Sequence, residues 1–196
     1  AQQWYGADAA RRWCTAPLVR LPAERGQEIR RSARERLGIS ADAFLVCSFG
    51  FIGRSKLNHR LLDAWLDSAL ANNPDAHLVF VGENEAGEYG AGLVNKIAGS
   101  AAGKRITITG WTNAEDYRCY LEAADAGVQL RTLSRGETSA AVLDCMNHGL
   151  ATIVNANGSM ADLDDCTVVM LPDDFADEQL IQALERLAHD PSWRSE

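Results

Sequence analysis

No basic stripe runs through this sequence. Its 19 lysines and arginines are scattered among 27 aspartates and glutamates, which leaves a formal net charge of −8. Nucleic-acid backbones are bound by clustered cations, so a nucleic-acid partner is excluded. The chain also lacks any apolar run near the roughly 18–20 residues that a membrane-spanning helix needs, and it shows no signal peptide. Its five cysteines, Cys14, Cys47, Cys119, Cys145 and Cys166, are odd in number and far apart, with no Cys-x-x-Cys. They read as buried or free thiols of a reducing cytosol, not as a disulfide framework. His59, His77, His148 and His189 stand alone, without an acidic partner at metal spacing, so no metal is expected. His148, beside Gly149, fits a helix C-terminus. The G-x-S-x-G, H-E-x-x-H and G-x-x-x-x-G-K-[ST] patterns are missing too, and with them go nucleophilic hydrolysis, zinc chemistry and P-loop phosphoryl transfer.

What is present is an ordinary globular composition. With 46% hydrophobic and 23% charged residues, a chain of 196 residues can bury one large core or two small ones. It begins at Ala1 rather than at Met, which suggests one domain of a longer polypeptide. Residues 1–24 read as irregular, with Pro17 and Pro22 around a short apolar piece, and are expected to form an interdomain linker. Residues 25–196 then form the domain proper. A basic helix over 24–37 is stopped by Gly38, and apolar runs alternate with helical patterns from there on. Strands are expected at 43–48, 77–81, 105–109, 126–130, 151–155 and 167–170. Helices are expected at 57–72, 88–101, 114–123, 138–148, 159–163 and 176–189, with Trp65 packed in the core. Strands this uniformly apolar are covered on both faces, as in a parallel sheet. The pattern predicts an α/β fold: a Rossmann-like, doubly wound, six-stranded parallel sheet.

In such a sheet ligands bind beyond the carboxyl ends of the strands. Glycine follows most of these ends: Gly50 and Gly53, then Gly82, Gly110, Gly136 and Gly158. Each could be only a turn residue; together they suggest backbone brought close to a ligand. Thr138 and Ser139 stand where a helix begins, so their hydroxyls serve either as N-caps or, with the free amides of that turn, as an anion site. Glu137 is favoured at a helix start in any case. Arg54 and Lys56 occupy another loop of the same edge, and a diphosphate held by amides and these cations is a natural guess. Asp144 follows Glu137 by seven residues, two helical turns, which would put both carboxylates on one helix face. Asp144 then either accepts ribose hydroxyls or is simply solvated.

The run Ser134-Arg135-Gly136-Glu137-Thr138-Ser139, then Leu143-Asp144, Gly149–Val154 and Asn157-Gly158-Ser159-Met160, resembles the donor-binding, carboxyl-terminal half of a GT-B glycosyltransferase of the retaining family 4 type. It is similar to the branch with a Gly-Glu-Thr-Ser loop. Phe49 to Lys56, Val79–Gly82, Thr109-Gly110 with Tyr117, and Ala124-Asp125 also fall where that pattern expects them. The resemblance implies a nucleotide-diphospho-sugar as donor and substrate, with no cofactor. It implies that Lys56, with Arg54 and the Gly53 loop, neutralises the diphosphate, and that the amides of Gly136, Thr138 and Ser139 face phosphate. Glu137 would lie by the donor sugar as the catalytic carboxylate. Asp144, one position closer than the family's usual second glutamate, would bind ribose, and backbone near Trp111 and Thr112 the base. The acceptor, a glycan or lipid-linked molecule, would be held by an amino-terminal domain outside this chain, which alone would bind donor without turnover. Polysaccharide biosynthesis in the cytoplasm, with membrane association through the other half, is the implied setting. Two other functions fit the same residues: a nucleotide-sugar epimerase of this fold, and a non-catalytic nucleotide-sugar-binding module.

Overall fold

The computed structural model describes residues 18–135, 137–164 and 166–195. Six strands form one sheet: β1 (Phe44–Phe49), β2 (Ala76–Val81), β3 (Ile106–Ile108), β4 (Ala126–Gln129), β5 (Ala151–Asn155) and β6 (Val169–Leu171). Every pairing is parallel, and the order is β3-β2-β1-β4-β5-β6. The doubly wound sheet is therefore as expected, and its order reverses between β1 and β4.

The helices are α1 (Gln27–Leu37), α2 (Asn58–Asp67), α3 (Glu88–Gly99), α4 (Ala114–Ala123), α5 (Ala140–Asn147), α6 (Asp177–His189) and a short α7 (Pro191–Ser195). Alternate residues of each central strand face opposite layers. Val46, Leu78, Phe80 and Ile153 pack with Leu61, Leu62 and Trp65 of α2 and with Leu180 and Leu184 of α6. Leu45, Cys47, Phe49 and Val79 pack on the other side with Ala33 of α1, Cys119 and Leu121 of α4 and Cys145 of α5. Trp65 is fully buried, as its helical position implies.

The departures from the expected boundaries have local causes. The expected helix 57–72 breaks at Ser68, whose hydroxyl donates to the Trp65 carbonyl at 2.7 Å and caps a following 3-10 turn, Ala69–Asn72. β3 starts later than expected because a 3-10 turn, Gly103–Arg105, takes the Arg105 amide to the Ala102 carbonyl at 2.9 Å. The Arg105 guanidinium binds the carbonyls of Leu70, Ala71, Asn73 and Ala76, and the Thr109 hydroxyl accepts the Gly82 amide at 3.0 Å. The stretch expected as helix 159–163 is a 3-10 turn, Gly158–Asp162. α7 was not expected; the Arg186 guanidinium lies 3.9 Å over the ring of its Trp193.

One ion pair is built into the interior. Arg34 of α1 is only 3% exposed, and its guanidinium reaches the carbonyls of Ser40, Ala41, Ala43 and Ala123 and the Asp125 carboxylate at 2.6 Å. Asp125 also takes the Leu45 amide at 2.8 Å and Arg30 at 2.5 Å. It thereby ties α1 to the first residues of β1 and β4.

Candidate functional site

β1 and β4 pair only at Val46↔Ala126 and Cys47↔Gly127. Beyond that the chain leaves β1 for α2 on one face and leaves β4 for α5 on the other, so the sheet opens into a crevice. The Gln129 carboxamide replaces the missing ladder: its oxygen accepts the Phe49 amide at 2.7 Å and its nitrogen donates to the Phe49 carbonyl at 3.2 Å. Two loops border the crevice, and the Thr132 amide joins them by donating to the Ser55 carbonyl at 3.0 Å.

In the β1 loop, Gly50 has φ of 97°, and a Cβ there would sit 2.5 Å from the Lys56 ammonium. Glycine is what lets the lysine fold back over the strand end. A Cβ at Gly82 would in turn sit 2.1 Å from the Gly50 carbonyl oxygen, so the β2 loop braces the same turn. The Lys56 Nζ donates to the Phe49 carbonyl at 3.0 Å. Burial, and then the neighbouring Arg131 charge, pull its pKa down to about 8. Gly53 is buried and its amide already donates to Asn58 Oδ1 at 3.0 Å. Arg54 turns outward, its guanidinium 5.2 Å over the Tyr89 ring of α3.

In the β4 loop the expected helix face needs correcting. α5 begins at Ala140, with Ser139 as N-cap: its hydroxyl accepts the Val142 amide at 3.4 Å. Glu137 therefore precedes the helix and does not share a helix face with Asp144. The sequence offered two adjacent hydroxyls as caps, and only Ser139 is buried while Thr138 is exposed. The Glu137 carboxylate accepts the Arg135 amide at 2.7 Å and Arg131 Nη1 at 2.8 Å. These partners, its own backbone amide and that of Arg135 foremost, hold it below the usual carboxylate range. Its carbonyl takes the Ser159 hydroxyl at 2.8 Å, which adds the β5 loop to the rim. Gly136 lies outside the described residues.

Asp144 points toward α4. It accepts Arg20 Nε at 2.5 Å and the Tyr117 hydroxyl at 3.3 Å. The Tyr117 ring packs edge-on against Phe49 at 5.2 Å, next to the end of β1. Burial and then the Asp144 charge push the Tyr117 phenol well above its ordinary range. The carboxylate thus already has a cation, Arg20. His148 terminates α5, its ring nitrogen 2.9 Å from the Asp144 carbonyl. Trp111, 76% exposed, and half-buried Thr112 follow β3, two strand spacings or about 10 Å from β1.

The structure thus ties the Lys56 loop to the loop that carries Arg131 and Glu137, ahead of the Ser139 cap, whereas Asp144 is engaged by Arg20 and Tyr117. It also shows residues that sequence reasoning missed. Asn155, fully buried at the end of β5, accepts the Arg131 amide at 2.7 Å and donates to its carbonyl at 2.7 Å, while its second amide hydrogen reaches Asp173 at 3.0 Å. Arg131 is fixed by that clamp. The readable signals were Gln129 and Asn155, each a polar interruption at the end of an apolar strand.

A cavity of about 490 Å³ at the opposite sheet edge carries Arg25, Arg30 and Arg194. Its cations are taken: Arg25 by the Asn147 carbonyl at 2.6 Å, Arg30 by Asp125, Arg194 by the Leu187 carbonyl at 2.6 Å. Among the described residues, no three His, Cys, Asp or Glu side chains gather as a metal site, and no helix is long and apolar enough to cross a membrane. Among the described residues the Cys47, Cys119 and Cys145 thiols are free; burial raises all three, Cys145 to about 12.

A doubly wound parallel sheet that reverses its order at a central switch point defines a Rossmann-like α/β domain. More specifically, this chain belongs to the family described as Glycosyl transferases group 1, whose profile matches residues 46–190. Its sheet matches those of GT-B glycosyltransferase domains. The chain superposes on the Anabaena protein HepE, solved with UDP and glucose, with a TM-score of 0.74 at 18% identity, covering 87% of this chain and 45% of that one. It matches the carboxyl-terminal domain of LpcC, a glycosyl transferase group 1 family protein from Francisella tularensis, with a TM-score of 0.73 at 20% identity, covering 89% and 87%. Sucrose-phosphate synthase from Thermosynechococcus elongatus follows at 0.68 and 23%, covering 84% and 41%. The chain thus spans less than half of HepE. Among curated protein sequences none matches significantly.

Proposed function

We propose that this chain is the donor-binding domain of a retaining glycosyltransferase that takes a sugar from a nucleotide-diphospho-sugar and passes it to a glycan or lipid-linked acceptor. The acceptor would be held by a further domain of the same protein. One observation carries this: the Thr132 amide on the Ser55 carbonyl ties the loops of Arg131 and Lys56 together at the β1/β4 switch point, just ahead of the capped start of α5. Two neighbouring cations and free helix amides favour a diphosphate. HepE, a structural neighbour, holds UDP, which supports the nucleotide part. In this role Lys56 neutralises the diphosphate without a metal. The amides at Thr138 and Ser139 face phosphate, and Glu137 faces the sugar. Ribose lies by Asp144 and the base by Trp111 and Thr112.

Thermal denaturation against UDP, GDP, ADP and their glucose or mannose conjugates tests this. A ligand at about a hundredfold its Kd contributes about 2.7 kcal/mol, which raises the Tm of a chain this size by about 5–10 °C. At least one nucleoside diphosphate is expected to do so. A flat response to the whole panel contradicts the assignment.

A further inference from the structure

The pair Arg131–Glu137 is not explained by what Glu137 alone would do for a sugar. The Arg131 guanidinium is 20% exposed and rigidly based, because the Asn155 carboxamide binds both its amide and its carbonyl, and the next residue is tied to Ser55. It stands close enough to Lys56 for the two positive charges to disfavour one another. Among the described residues no carboxylate pairs with Lys56; its ammonium has only the Phe49 carbonyl. A fold that holds two cations together by means of a buried clamp has a site for an anion of more than one charge. The Glu137 carboxylate, 47% exposed, supplies a single charge to Arg131 from one side. Half-exposed pairs of this kind are weak and easily exchanged.

We propose that Arg131 is a second diphosphate-binding cation and that Glu137 occupies it when no donor is bound. On donor binding the diphosphate takes both Lys56 and Arg131, because it brings more charge to two cations already held in place. Glu137, no longer paired, keeps its backbone hydrogen bond from Arg135 and turns its other oxygen to the sugar hydroxyls. The ion pair is thus a latch that makes the sugar-binding carboxylate available only when a diphosphate is present. Asn155 is the positioning residue behind it. This inference rests on the donor-binding role proposed above.

The test is calorimetry of wild type, Arg131→Gln, Arg131→Lys, Glu137→Gln and the double Gln variant, each with the nucleoside diphosphate that most raises the wild-type Tm and with its sugar conjugate. Arg131→Gln is expected to weaken the nucleoside diphosphate tenfold or more, with Arg131→Lys recovering part of the loss. Glu137→Gln is expected to tighten the nucleoside diphosphate two- to fivefold while lowering the extra affinity gained from the sugar. In the Arg131→Gln background the Glu137 change should leave the nucleoside diphosphate untouched. Arg131→Gln binding like wild type, or Glu137→Gln weakening the bare diphosphate, overturns the latch while leaving the donor role in place. Absence of any nucleotide binding by wild type overturns both. If Arg131→Gln fails to fold, Arg131→Lys and Glu137→Gln still decide the matter through the sign of the Glu137 effect.

Discussion

Arg34→Ala is expected to lower the unfolding free energy by about 3–5 kcal/mol, the range for removing one partner of a buried ion pair. The arginine serves four carbonyls and the Asp125 carboxylate from a site that is 3% exposed. Burial disfavours its charge, and Asp125 offsets only part of that cost. The wild-type pair need not be strongly stabilising in itself, since desolvation is costly for both ions. Its removal is nonetheless severe, because carbonyls and a carboxylate at the start of β1 and β4 lose their donor together. Arg34→Lys should recover little, since an ammonium cannot span five acceptors in a planar fork. Urea unfolding of the three proteins, checked for a common m-value, measures this. A loss under about 1 kcal/mol for Arg34→Ala would show that the acceptors find water or Arg30 instead.

Lys56→Ala should weaken nucleoside-diphosphate binding by about 1–3 kcal/mol, the range for a hydrogen bond to a charged group, with the loss shrinking as salt rises. The pH dependence is sharper evidence. Burial brings the ammonium to about 8, so this charge is lost as pH rises from 7 to 9. The terminal phosphate, with a second pKa near 6, is already about nine-tenths ionised at pH 7 and gains little charge over that range. Affinity should therefore fall by about tenfold across those two pH units, and binding near pH 9 should take up a proton. In calorimetry that uptake makes the apparent enthalpy depend on the ionisation heat of the buffer. Lys56→Arg, which stays charged, should bind with a flat profile. An affinity that does not change between pH 7 and 9 in wild type would remove Lys56 from the site.

Elements whose ends carry local signals were legible in the sequence. α4 is found where expected because Asn113 caps it, accepting the Asp116 amide at 2.8 Å. β5 is found where expected because Gly149 precedes it and its apolar run ends at Asn155. The six parallel strands followed from continuous apolar runs, which only a sheet covered on both faces requires. The site was legible in its loops, not in its contacts. Glu137 and Asp144 were assigned to one helix face because sequence spacing cannot tell which of Thr138 and Ser139 begins the helix. Arg131 went unnoticed because a charged residue just past an apolar strand resembles a solvated loop position. What makes it more than that are Asn155 and Lys56, and the Ser55 carbonyl bound by the next residue, Thr132, all brought there by the sheet and not by the local sequence. Arg54 was grouped with Lys56 by proximity in the chain, yet the 3-10 turn Arg54–Lys56 sends its guanidinium to Tyr89 instead.

A nucleoside diphosphate is expected to bind at the β1/β4 switch point. Two-dimensional amide spectra of the isotope-labelled chain, titrated with UDP, GDP or ADP, test it residue by residue. With the nucleotide that binds, the largest shifts are expected at Gly53 to Lys56 and at Arg131 to Ala140, with smaller ones at Trp111 and Thr112. Shifts confined to the opposite sheet edge, around Arg25, Arg30 and Arg194, would contradict it and place the ligand in the other cavity.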